Sequence, residues 1–380
     1  MRSIAMAFSV LSVLSSTVLV ACDDGATTST TTSSSSSTGS GGAGGGTVGC
    51  ADPEATSDMP CGTLAIAASD IKSRPRNHHV TLLAETAAGP FLYAIGGANG
   101  NATLKFVDRF PIQPDGSLGP SIEQSSLPVG EGGMTGGLVG KTIVIAGGTT
   151  LAGVVDSSYY ATVGDDGTLS AFTKAGSVLH KRMHPGAVVK GDTIWVMGGF
   201  KDPDVWDDIV KATVGADGVL GEWTSAGLLP GKRSHFAVTR VGDDVYLTGG
   251  LDKSAYGNPP DLADTWHGRF AADGTIGEWT KGPDLPVAIV THSSFFYGGY
   301  IYVGGGIRDK PLGHEDRLWR APIQADRSLG AWEEVAAKFG VKRGHVHQYP
   351  MFENHFYSIS GAIDFNLGST DEIDIGTFQP

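Results

Sequence analysis

Tyr93-Ala-Ile-Gly96-Gly97, Val144-Ile-Ala-Gly147-Gly148, Trp195-Val-Met-Gly198-Gly199 and Tyr246-Leu-Thr-Gly249-Gly250 are four short apolar runs, each ending in a glycine pair. Tyr302-Val-Gly304-Gly305 and the degenerate Tyr357-Ser-Ile-Ser360-Gly361 extend the series. Counted at the first glycine, and at Ser360 in the last member, the spacings are 51, 51, 51, 55 and 56 residues. A short β-prone run that stops at two glycines reads as a strand followed by a sharp change of direction. A period near 50 means that one small unit recurs, and each copy needs its neighbours to bury its apolar face.

Two further markers run in phase with the glycines. Asp115-Gly116, Asp166-Gly167, Asp217-Gly218 and Asp273-Gly274, with Asp326-Arg327 in the fifth repeat, each lie between two β-prone runs. Asp-Gly in that setting predicts a tight hairpin, because both central residues of the favoured turn need positive φ. The run after each turn carries Phe172, Trp223, Trp279 or Trp332. A large aromatic recurring once per unit most simply packs one unit against the next.

Glycine pair, hairpin and aromatic together resemble kelch repeats, over roughly residues 61 to 380. The resemblance implies an all-β, six-bladed kelch-type β-propeller with four-stranded antiparallel blades. The first repeat departs from the pattern, with Ile122 at the tryptophan position. The chain ends in Asp371–Phe378, a third-strand sequence with no fourth strand after it. Cys61-Gly62-Thr-Leu64-Ala-Ile66 reads as the missing strand, with Leu64 at the tryptophan position. The N-terminal strand is therefore expected to close the last blade and hide two reactive sheet edges.

Ahead of the repeats, Met1-Arg2 precedes an apolar run from Ile4 to Ala21. A basic start and an apolar core read as an export signal. Leu19-Val20-Ala21-Cys22 resembles the lipobox of bacterial lipoproteins, which implies cleavage before Cys22 and acylation of that cysteine. The other reading is a membrane-spanning anchor, which the four serines and the threonine inside the run oppose. Gly25 to Gly49 is nearly all Ser, Thr and Gly, a composition too polar to fold. It reads as a flexible tether with a reach of roughly 25–30 Å. The expected organisation is a signal peptide over 1–21, a tether over 22–49 and a propeller over 50–380. The expected location is the cell envelope, at the outer membrane or cell surface. The periplasmic face of the inner membrane stays open, because Asp23 and Asp24 follow the cysteine.

Composition excludes several chemistries. With 27 basic and 40 acidic residues the net charge is −13, the wrong sign for a nucleic-acid partner. The three cysteines are Cys22, Cys50 and Cys61, so no thiol chemistry is available in the repeats. Cys50 and Cys61 stand 11 apart in an exported chain, and either a disulfide or two free thiols is open. Galactose oxidase shares kelch repeats, but its cofactor needs a cysteine joined to a tyrosine, and no cysteine follows Cys61. No cofactor or metal is expected, and the chain is expected to be a monomer.

In a kelch-like blade the first strand lines the central channel. Leading into it are Arg76-Asn-His78, Arg182-Met-His184, Arg233-Ser-His235 and Arg343-Gly-His345, with His292 alone in the fifth repeat and Gly132-Gly133 in the second. Acidic residues follow the glycine pairs: Asp108, Asp156, Asp207, Asp208, Asp264, Asp316 and Asp371. One reading is a ring of imidazoles that binds a ligand or a metal. The other is architectural: each arginine pairs with an aspartate of a neighbouring loop and each histidine bonds backbone. Symmetry favours architecture, because catalysis needs a few different groups in one place. No catalytic residue is assigned. Long loops on the same face suggest a ligand patch at Trp206, Tyr256, Arg308 and His314. The expected function is an anchored binding or interaction module for a carbohydrate or a protein. The alternative is a carbohydrate-active enzyme, such as a lyase or an isomerase resembling the sialate epimerases, which are six-bladed kelch proteins.

Overall fold

A computed structural model of the chain describes residues 48–252 and 261–379. All regular structure among them is β, with no helix. The first repeat forms a four-stranded antiparallel sheet from Val80–Thr86, Gly89–Asn99, Ala102–Pro111 and Ile122–Gln124. The second does the same with Thr135–Val139, Thr142–Ala146, Ser158–Thr162 and Thr173–Lys174.

The last sheet closes the ring as the chain ends require. Thr63–Ala68 lies antiparallel to Ile373–Gln379, pairing Leu64 with Phe378 and Ile66 with Gly376. Its other strands are His355–Ile359 and Met351–Phe352. Cys50 and Cys61 are joined by a disulfide, and the Gly298 N–H bonds the Cys50 carbonyl at 2.7 Å. The segment before the closing strand is thus held against the fifth repeat.

The remaining repeats do not stand as separate four-stranded sheets. The third and fourth share one eight-stranded sheet, because Gly227 makes a single parallel pairing with Ile276 across their outer strands. The fifth is enlarged to six strands by Ile289–Val290, which pairs with Ile307–Asp309, and by Ile307–Asp309, which also pairs with the start of Leu312–Pro322. Three adjacent glycines also hide its register. The left-handed pair there is Gly305-Gly306 (φ 63° and 94°), one residue later than the sequence suggests, and Gly304 ends the strand.

The glycine pairs are required by close approach. At Gly198, φ is +61°, and a Cβ would lie 2.3 Å from the Arg233 carbonyl oxygen of the next repeat. Each pair therefore sits where two repeats converge on the axis. Farther out, aromatic residues tie the repeats in both directions. Tyr93, Trp195, Tyr246 and Tyr357 donate to the carbonyls of Gly167, Gly274, Arg327 and Gly116, each in the hairpin turn of the following repeat. Trp223, Trp279 and Trp332 donate back to Ser158, Leu228 and Pro283 of the preceding repeat. The apolar core is correspondingly divided into clusters between sheets. One joins Val144 and Ala146 of the second repeat to Ile194, Val210 and Trp223 of the third.

Candidate functional site

Four arginines lead into the innermost strands, and all four are buried. Arg182 bonds Asp208 at 2.7 Å and the Gly198 carbonyl at 2.8 Å. Arg233 bonds Asp264 at 2.8 Å and the Gly249 carbonyl at 2.6 Å. Arg76 pairs with Asp108 and bonds the Ala94 carbonyl at 2.9 Å. Arg343 bonds Asp374 at 2.7 Å and the Ser360 carbonyl at 2.8 Å. Each guanidinium therefore clamps the glycine-pair strand to the third strand of its own repeat. Two expectations are corrected. The aspartate belongs to the same repeat rather than a neighbouring loop, and in the last repeat it is Asp374 rather than Asp371. The reason is reach: the arginine stem lies along its own sheet, and Asp374 occupies the register position paired with Ser358.

Two residues past each arginine the chain turns onto the axis. His78, His184, His235 and His345 have φ between 53° and 57°, a region that non-glycine residues seldom occupy. Six backbone hydrogen bonds close there into a ring. His78 N–H donates to His345 (2.8 Å), Gly133 to His78 (2.8 Å), His184 to Gly133 (2.7 Å), His235 to His184 (3.1 Å), Thr291 to His235 (2.8 Å) and His345 to Thr291 (3.0 Å). The ring satisfies donors that a left-handed backbone would otherwise bury unpaired.

The imidazoles pack against one another. His78 stacks on His345 at 3.9 Å between centroids and His184 on His235 at 3.8 Å, while His347 lies 5.1 Å from His184. Burial first, and neighbouring imidazoles second, push His78, His184, His235 and His345 well below the ordinary histidine range. They are neutral at physiological pH. Among the described residues, no three His, Cys, Asp or Glu side chains are disposed to hold a metal ion.

The fifth repeat breaks this pattern in phase. Thr291 takes the ring position, and His292 instead contacts the Thr248 hydroxyl at 2.9 Å, burial holding its pKa at about 3. Ile289 stands where four other repeats have arginine. The second repeat breaks it in charge. Glu131 occupies the arginine position, wholly buried, with Ser157 in place of the aspartate and 2.8 Å away. Burial pushes the Glu131 pKa up to about 7, the Ser157 hydrogen bond opposing.

Beside the imidazoles lies a channel cavity of about 230 Å³, lined by Thr81, His184, His235, His292, Ser294 and His347 among others. Its walls are mostly apolar, but the hydroxyls of Thr81 and Thr291 and Nδ1 of His292 are buried there without a protein partner.

No known family profile matches the chain. Over 137 residues, 36% of its length, it is 28% identical to Beta-scruin of Limulus polyphemus, of which it covers 14%. It superposes on the solved structure of YjhT with a TM-score of 0.61 at 12% identity, covering 79% of this chain and 95% of that one. The fold is a kelch-like β-propeller. At 12% identity the likeness carries architecture alone.

The described residues of the suggested ligand patch fall on two repeats. Trp206 stacks on His180 at 4.1 Å and donates to the Lys181 carbonyl. Arg308 is committed to Glu315 at 2.7 Å, and His314 is buried 5.1 Å from Phe365. Arg308 and His314 share one hairpin of the fifth repeat, whereas Trp206 belongs to the third. Cys22 and Tyr256 lie outside the described residues. Sequence reasoning missed His347 and Glu131. His347 was legible by position alone, two residues after His345 and so close to the axial turn. Glu131 was legible by aligning Gly130-Glu131-Gly132-Gly133 with Lys181-Arg182-Met183-His184 at the 51-residue spacing.

Proposed function

We propose that this chain is an envelope-tethered, six-bladed propeller acting as a binding or interaction module for a carbohydrate or protein ligand. The observation that carries this reading is how the channel-face polar groups are used. The four arginines are neutralised within their own repeats, and the imidazoles are neutral, buried and stacked on each other. A general acid or base needs a proton-exchanging group within reach of a substrate. What remains on this face is a set of loops that differ in length and sequence from repeat to repeat, the usual form of a recognition surface. The six-blade count is supported by the six-membered backbone ring and by the Tyr357–Gly116 contact between the last repeat and the first. In that count the eight-stranded sheet is two blades with touching outer strands.

Acylation at Cys22, followed by the tether, would hold the propeller a few nanometres from a membrane, as a monomer free to rotate. A Cys22→Ala variant should lose radiolabelled fatty acid and leave the membrane fraction; retention there would refute the anchor.

The binding role is tested by probing a glycan array and an envelope-protein array with the purified protein, then assaying each bound sugar for turnover. Saturable binding without turnover is the expected result. Turnover would replace this reading with the enzyme, and no binding on either array would end it.

A further inference from the structure

The sixfold pattern fails most visibly at the second repeat, where Gly132-Gly133 stands in place of a residue and histidine. Above that point a cleft of about 300 Å³ opens between two hairpin tips. One wall is Ala98–Thr103 of the first repeat, and the other is Thr149–Leu151 of the second. Met183 and Leu367 complete the walls, and His78 reaches into the cleft from the axial ring. The volume is at the small end of ligand pockets, suited to one small molecule rather than a chain.

The lining carries no net charge, as in the channel cavity. The sequence carries 27 basic and 40 acidic residues, yet no lining residue is charged at neutral pH, since His78 is held neutral by burial. The polar side chains there are the Asn101 amide, the Thr103 hydroxyl, the hydroxyls of Thr149 and Thr150, which donate to the Thr150 and Gly153 carbonyls and keep acceptor lone pairs, and the His78 imidazole, whose Nδ1 contacts Asn77 Oδ1. Apolar faces come from Ala98, Ala102, Leu151, Met183 and Leu367.

Backbone accounting separates a peptide from a sugar. Gly132 and Thr149 exchange both backbone hydrogen bonds, at 3.0 and 2.7 Å, and Asn77 and Ala98 do the same at 2.8 and 2.7 Å. The Gly100 N–H is taken by the Leu367 carbonyl at 2.8 Å. An extended peptide would therefore find these ladder groups already paired. A ligand that presents hydroxyls on its edge and C–H groups on its face matches what is left. A charged ligand would lose its hydration without meeting a counter-charge.

We propose that this cleft between the first and second repeats binds an uncharged sugar. The proposal rests on the binding-module reading and narrows it to one place and one ligand class. Both walls are hairpin tips of neighbouring sheets, so the site exists only because the repeats are held side by side by the ring of backbone bonds beneath it.

The test uses the full chain on an array of neutral and sialylated glycans, followed by titration with the best neutral glycan. Ala102→Trp fills the cleft from an exposed position, and Leu151→Asp puts a carboxylate on a wall residue that is 82% exposed. Neither position is in the core, and unchanged melting curves verify the fold. Trp206→Ala serves as the comparison on the same face. The expected result is binding of a neutral glycan that weakens on the order of tenfold or more in Ala102→Trp, about 1.4 kcal/mol. Leu151→Asp should weaken it less, and Trp206→Ala should leave it unchanged. Neutral-glycan binding that survives Ala102→Trp, or that is lost in Trp206→Ala alone, overturns the cleft while leaving the binding module intact. Preference for sialylated glycans overturns the ligand class. Absence of any glycan binding by the unaltered chain overturns the sugar proposal, and the protein array then decides the module separately.

Discussion

The Tyr357 hydroxyl donates a hydrogen bond to the Gly116 carbonyl at 2.9 Å, across 241 residues of sequence. Tyr357 opens the apolar run of the last repeat, and Gly116 sits in the hairpin turn of the first. This contact repeats, at the junction of the chain's two ends, the bond that Tyr93 makes to Gly167 between consecutive repeats. Closure is therefore built from the same part as propagation.

Because the Tyr357 hydroxyl is buried, Tyr357→Phe should lower unfolding stability by about 1 kcal/mol, with the Gly116 carbonyl left to find water. Tyr93→Phe should cost a similar amount. Urea midpoints of the two variants test this; a negligible effect of Tyr357→Phe beside a clear effect of Tyr93→Phe would mean that the seam is not tightly closed in solution.

The arginine clamps should be costly to break one-sidedly. Arg343→Ala leaves Asp374 buried without its cation, and destabilisation of about 3–5 kcal/mol is expected. Burial already raises the Asp374 pKa against the opposing pull of Arg343, so removing the arginine should raise it further. Asp374→Asn placed on top of Arg343→Ala should recover part of the loss. A double variant no better than the single one would contradict the idea that an uncompensated charge is the cost.

Histidine burial predicts pronounced acid lability. His78, His79, His184, His235 and His345 have pKa values far below the ordinary range, with His347 at about 4 and His292 at about 3, burial being the first cause in each. Their folded pKa is depressed, so the stability they contribute is present above about pH 6.5 and is lost as pH falls below it, when only the unfolded chain takes up protons. Each such group contributes a slope of about 1.4 kcal/mol per pH unit. All seven act in the same sense, so stability should fall steeply on acidification, and native stability is only of the order of 5–15 kcal/mol. Unfolding followed by circular dichroism should therefore set in within about two units below pH 6.5. An intact fold at pH 4 would refute it.

Glu131 acts in the opposite sense. Its folded pKa is raised to about 7, so its share of stability is present below about pH 4.5 and lost as pH rises through 7. Glu131→Gln should leave stability near pH 5 almost unchanged and raise it by up to about 3 kcal/mol at pH 8. Chemical denaturation of both proteins at the two pH values decides it. Equal gains at pH 5 and pH 8 would place the effect in packing rather than ionisation.

Read from residues alone, this chain declared a repeating β architecture. Glycine pairs and Asp-Gly turns constrain φ locally, and local constraints are visible in local sequence. The closing strand was legible for the same reason: Asp371–Phe378 lacks a partner, and Gly62–Ile66 has the pattern to supply one. What needed the assembled ring were relationships between repeats and between side chains far apart in number. The Gly227–Ile276 pairing that fuses two sheets, the choice of Asp374 over Asp371, and the packing together of five imidazoles all depend on where separate sheets meet. Those distances are set by packing around an axis that no segment of the sequence contains. The neutral cleft above Gly132 belongs to the same class, since its walls come from two repeats, each contributing only half a surface.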